Sequence, residues 1–119
     1  MTKILLTEDD HTLRAFLTTS LRRAGHEVRE HEDGESALES LEREVFDFLV
    51  TDIVMPGMDG IELAQKAIKI DPEIKIVFIT GFAAIALAAQ APTPAGSKVL
   101  SKPFHLRELV DQLEHLIAA

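Results

Sequence analysis

FDFLVTDIVMPGMDG, residues 46–60, begins as an interior strand and breaks off at an acid. Phe48, Leu49 and Val50 form an apolar, β-rich run of the kind buried inside a sheet. The run ends at Thr51-Asp52 and gives way to a loop carrying Pro56 and Gly57. A carboxylate at the end of a core strand is costly to desolvate unless a partner compensates it. Such an acid can also be a plain capping residue, so Asp52 alone does not choose between a structural and a chemical role.

Outward from this stretch, apolar strand-like runs alternate with amphipathic helical ones. On the N-terminal side, Lys3–Thr7 (KILLT) predicts a buried strand. Leu13, Phe16, Leu17, Leu21 and Ala24 then recur at helical spacing, with Gly25 as a stop. His26–Glu30 (HEVRE) predicts a polar strand near an edge, and EDGESALESLE a helix facing Ala37, Leu38 and Leu41 inward. The central strand is expected over Phe46–Asp52. Beyond the loop, Asp59 with Glu62 three residues on has a capping-box pattern, and Ile61, Ala64, Ala67 and Ile68 make the buried face of the helix it opens. Asp71-Pro72 ends that helix, and Lys75–Thr80 (KIVFIT) and Ser97–Ser101 (SKVLS) supply two further strands. Between them lies an alanine-rich segment. Pro92 and Pro94 limit it to a short helix over 83–90 with little apolar area to anchor it. The last helix is expected to bury Leu106, Leu109, Val110, Leu113, Leu116 and Ile117.

Five βα units with continuous rather than alternating apolar strands predict an α/β fold, a parallel sheet covered on both faces. Right-handed crossovers leave the doubly wound open sheet as the leading topology. The 119 residues are expected to form one domain, without a linker, repeat or separate output domain. There is no cysteine, which removes disulfides, thiolate metal sites and cysteine nucleophiles. A net charge of −8 argues against direct nucleic-acid binding. No apolar run reaches the ~20 residues that span a bilayer, and MTKILLTEDD is too short and acidic for a signal peptide. A cytoplasmic location is the expectation.

In doubly wound sheets, sites lie beyond the carboxyl ends of the strands. Here those ends are Glu8-Asp9-Asp10, Asp52, Thr80 and Lys102-Pro103. Acids, a hydroxyl and an ammonium therefore converge on one edge. Carboxylates packed together repel unless a cation or a proton relieves them, and oxygen-only donors suit Mg²⁺. A carboxylate can act as a covalent nucleophile and form an aspartyl phosphate. Lys102 can then neutralise a phosphoryl oxygen, and Thr80 can hydrogen-bond it.

EDD, TDIVMPGMDG, ITG and SKPF, in this order and spacing, resemble the receiver domain of response regulators in bacterial two-component signalling. The resemblance covers the whole chain. It implies the CheY-like, flavodoxin-like (βα)5 fold with strand order 2-1-3-4-5. It further implies that Asp52 is the phosphoacceptor, that Asp9 and Asp10 hold Mg²⁺ together with Asp52 and the Val54 backbone carbonyl, that Thr80 is the switch hydroxyl, and that Lys102 contacts the phosphate. The phosphodonor would be a histidine kinase or a histidine phosphotransferase. The chain would be a signalling protein rather than an enzyme acting on other substrates. VFITGFAAIAL and VLSKPFHLRELV are similar to the CpdR type of single-domain regulators in alphaproteobacteria. That similarity implies a cell-cycle role in which the unphosphorylated form engages the ClpXP protease; a chemotaxis-type or phosphate-shuttling receiver is the alternative. Val99 stands where the family usually carries an aromatic switch residue.

Other chemistries fit less well. A phosphatase with an aspartate nucleophile wants a second acid two residues on, where this chain has Val54. A flavin-binding protein of the same topology would bring its phosphate against Glu8-Asp9-Asp10. A degenerate receiver acting only as a scaffold would not need the acids, hydroxyl and lysine together. The five histidines show no ligand spacing, although His11 directly follows the acids.

Overall fold

A computed structural model describes residues 2–81, 94, 96–102 and 106–118. In chain order, the elements among these residues are β1 (Lys3–Thr7), α1 (His11–Arg23), β2 (Glu27–His31), α2 (Gly34–Arg43), β3 (Phe48–Asp52), α3 (Gly60–Ile70), β4 (Lys75–Thr80), β5 (Lys98–Ser101) and α4 (Leu106–Ala118). The strands form one parallel sheet in the order β2-β1-β3-β4-β5, the doubly wound arrangement expected. The short helix expected over 83–90, with Phe82, Pro92 and Pro103, lies outside the described residues.

Successive residues of a strand point to opposite faces, and here both faces are covered. Leu5, Leu49, Ile76 and Phe78 pack with Ala37 and Leu41 of α2 and with Ile61, Leu63, Ala64 and Ala67 of α3. Ile4, Leu6, Phe48, Val50, Val77 and Ile79 pack on the other face with Leu17 and Leu21 of α1 and with Leu109, Leu113 and Leu116 of α4. This is why the central strands β1, β3 and β4 lack polar alternation. Each fully buried Leu, Ile or Phe contributes about 1.5–3 kcal/mol of transfer free energy, so the two layers dominate the stability.

Local chemistry sets the helix ends. Asp10, Asp33 and Asp59 are the N-caps of α1, α2 and α3, each accepting from a main-chain N–H three residues ahead. Gly25 takes a positive φ of 97° just beyond α1, a region that disfavours any side chain with a Cβ. β3 and β5 begin at Phe48 and Lys98, two residues and one residue later than expected, and β2 is shifted one residue along the chain. One assignment is corrected. Ile117 is 52% exposed, because α4 aims its 109–113–116 stripe at the sheet and turns residue 117 away from it. Leu63, absent from the expected face of α3, is fully buried.

Candidate functional site

β3 is buried along its whole length and delivers Asp52 to the carboxyl edge of the sheet with only 6% of its surface exposed. α3 fixes that position from behind. The Gly60 N–H donates to the Ile53 carbonyl at 2.8 Å, and a Cβ at residue 60 would fall 1.9 Å from the Asp52 carbonyl oxygen. Only a glycine lets the helix approach so closely.

Strand register decides what stands beside Asp52. Thr7 of β1 is level with Thr51 of β3, so the next residue, Glu8, comes level with Asp52. Carboxylate oxygens of Glu8, Asp9 and Asp52 all lie within 4.8 Å of one another. Glu8 is completely buried, whereas Asp9 is exposed at the mouth. From the far side of the sheet, the Lys102 backbone N–H donates to the Thr80 carbonyl at 2.6 Å and anchors the residue at the end of β5. The Lys102 ammonium donates to Asp52 Oδ2 at 2.9 Å and forms an ion pair with Glu8 Oε1 at 2.7 Å. The Val54 N–H donates to Asp52 Oδ1 at 3.3 Å, which brings the start of the β3–α3 loop to the same carboxylate.

Asp10 takes a different position from the one its place in the EDD triplet implied. Its Oδ1 accepts from the Leu13 N–H at 3.0 Å as the cap of α1, and its own N–H donates to Glu8 Oε2 at 3.1 Å. The acid that joins Asp9 and Asp52 is Glu8. Nothing in the order E-D-D could separate these roles, since that depends on where β1 ends relative to β3. Thr80 is buried at the end of β4, its hydroxyl donating to the Gly81 carbonyl at 3.3 Å. His11 meets Arg14 rather than the acids, its Nδ1 lying 3.1 Å from Arg14 Nη2.

The electrostatics follow from burial. Desolvation pushes the Glu8 carboxyl up to about 7, aided by the Asp52 charge and opposed by Lys102 and the Asp10 N–H. Burial acts to lower the Lys102 pKa, but its bonds to Glu8 and Asp52 outweigh that and raise it. Two acids thus share one ammonium. Glu8 Oε1 is buried and, despite the ion pair, has no aligned hydrogen-bond donor. A hard divalent cation suits these carboxylates, which offer oxygen only and include neither imidazole nor thiolate. The residues present therefore fit the Mg²⁺ expected from the sequence.

Comparison with known proteins agrees with this geometry. The family model for the response regulator receiver domain matches residues 4–114. The chain is 55% identical to the response regulator receiver protein CpdR of Brucella abortus, over all of this chain and 99% of that one. A response regulator receiver protein from Sinorhizobium medicae superposes with a TM-score of 0.90 at 33% identity, covering 99% of this chain and 95% of that one. The response regulator TrrA of Thermotoga maritima, solved in complex with Mg²⁺ and BeF, superposes with a TM-score of 0.85 at 28% identity over 98% of this chain and 99% of that one. No helix among the described residues is long and apolar enough to cross a membrane. With its sheet order, its acidic group at the strand ends and the family match over nearly its whole length, this chain belongs to the response regulator receiver family and is a signalling protein closely related to CpdR.

Proposed function

We propose that Asp52 accepts a phosphoryl group from a phosphohistidine donor, and that its phosphorylation governs which protein the chain engages. The supporting observation is the meeting of Asp52 with Glu8, Asp9 and Lys102 at one edge of the sheet. An Asp52 carboxylate oxygen forms a bond to phosphorus as the donor's phosphorus–nitrogen bond breaks, leaving the imidazole. Lys102 already contacts Oδ2, and its ammonium can shift that ion pair to a phosphoryl oxygen. Glu8, Asp9 and Asp52, with the Val54 backbone carbonyl, would hold Mg²⁺; when bound, the ion supplies positive charge against the transferring phosphoryl group. Asp10 acts at one remove, by steadying Glu8 through its N–H and by capping α1. The Thr80 hydroxyl exchanges the Gly81 carbonyl for a phosphoryl oxygen.

The donor would be a histidine kinase or a histidine phosphotransferase in the cytoplasm. Full-length similarity to CpdR supports a single-domain regulator that works through protein contacts, and we read its output as control of ClpXP proteolysis in the cell cycle. In this reading the unphosphorylated form engages ClpX through β5, α4 and the 82–91 segment, and phosphorylation weakens that contact. Phosphate and partner must then oppose each other reciprocally.

Incubation with acetyl phosphate and Mg²⁺ should add one phosphoryl group to the wild type and none to Asp52→Ala. Labelling of the variant, or labelling in excess EDTA, would refute the site. Asp52→Ala should also bind ClpX constitutively, and a phosphorylated wild type that binds equally well would refute the output.

A further inference from the structure

We infer that Arg14 is a positioning residue for the acidic pair Glu8-Asp9, holding the peptide between them in the orientation that turns both carboxylates toward Asp52. The inference rests on the metal site proposed above.

Arg14 lies in the first turns of α1 and reaches back over the chain that precedes its helix. Its Nη1 donates to the Glu8 backbone carbonyl at 2.8 Å. Its Nε pairs with Glu30 Oε1 of β2 at 3.2 Å, and its Nη2 donates to His11 Nδ1 at 3.1 Å. Only 12% of the side chain is exposed. A guanidinium with each of its nitrogens engaged is a rigid fork, unlike a solvated surface charge.

The carbonyl it holds belongs to the peptide linking Glu8 to Asp9, so its direction fixes the Cα–Cβ vector of Asp9 relative to that of Glu8. On the other side of Glu8, its N–H donates to the His31 carbonyl at 3.1 Å. The backbone is thus pinned before Glu8 by β2 and after it by Arg14. The Glu8 side chain is held separately by the Asp10 N–H and Lys102. Asp9 is exposed, and among the described residues its carboxylate makes no side-chain hydrogen bond or ion pair. Its direction therefore depends on the backbone. Without Arg14, the Glu8–Asp9 peptide could rotate toward solvent, and Asp9 would leave the group.

Charge and position predict opposite signs. By charge alone, deleting an arginine near a cation site tightens Mg²⁺ binding, and neutralising Glu30 weakens it. By position, Arg14→Ala weakens binding by about tenfold, as for other outer partners of metal ligands. Glu30→Gln leaves binding nearly unchanged, because the amide oxygen still accepts from Nε. Arg14→Lys keeps the charge but not the fork, and falls between wild type and Arg14→Ala.

The test is calorimetric titration of Mg²⁺ into the full chain for these four proteins, with thermal unfolding in EDTA as the folding control. If Arg14→Ala does not fold, Arg14→Lys decides: binding weaker than wild type supports the inference. Unchanged or tighter binding by the folded Arg14 variants overturns it. Equal weakening by Glu30→Gln and Arg14→Ala also overturns it, because the ion pair rather than the carbonyl contact would then matter. A wild type that binds no Mg²⁺ overturns both this inference and the metal site; a wild type that binds normally beside an unaffected Arg14→Ala overturns the inference alone.

Discussion

The two edges of the sheet carry similar numbers of charges in different surroundings. At the amino edge, Lys3 pairs with Glu44 and Glu27, and Arg29 pairs with the same two acids. These side chains are 26–45% exposed. Each can be hydrated whether or not its partner is there, so the network contributes little and is screened by salt. At the carboxyl edge, the Glu8 side chain is fully buried and that of Asp52 is 9% exposed, with Lys102 between them. There, removing a partner strands a charge that water cannot reach. The difference in solvation, not in the number of ion pairs, makes one edge a hydrated surface and the other a desolvated acidic site.

The contrast can be broken most severely at Gly60. Gly60→Ala would drive a methyl group into the Asp52 carbonyl, which lies 1.9 Å from the ideal Cβ position. Backbone on both sides leaves little room to relax, so a stability loss of about 3 kcal/mol or more is expected in urea titration, at the upper end of overpacking costs. Phosphoryl labelling should fall with it.

The next effect is a pH dependence centred on Glu8 at the carboxyl edge. Glu8 titrates at about 7 when folded, against 4.5 ordinarily. Between these values the folded state binds more protons than the unfolded one, so in EDTA stability should fall as pH rises from about 4.5 to about 7. The loss is at most about 3 kcal/mol at 1.36 kcal/mol per pH unit. Glu8→Gln should flatten that slope in denaturation curves across the range. A slope that survives the substitution would place the titrating group elsewhere.

Lys102→Met comes third. It leaves two neighbouring acids without their shared ammonium, costing about 2 kcal/mol at neutral pH. Since Lys102, with the Asp10 N–H, opposes the upward shift of Glu8, the upper end of the falling window should also extend to higher pH, while its lower end stays at the unfolded value. The smallest effect belongs to the amino edge. Glu44→Gln should barely change the unfolding midpoint, and any change should vanish in high salt. A large, salt-insensitive loss there would erase the distinction between the edges.

Much of this molecule follows from residues close together in the chain. The central strands read as continuous apolar runs, the acidic cap Asp59 opens α3, and Asp71-Pro72 closes it, because each signal is local. Asp52, Thr80 and Lys102 were legible for a related reason: in a parallel doubly wound sheet, every strand end lies on one edge. The folded structure alone decided which acid of EDD stands beside Asp52. That depends on the register of β1 against β3, strands about forty residues apart in sequence, and it selected Glu8 for the group while Asp10 capped a helix. The same holds for the exposed side of α4 at Ile117, for the clearance at Gly60 and for the reach of Arg14 to the Glu8 carbonyl. Each is set by the distance between elements that pack only in the folded chain, whereas local sequence determines what those elements are.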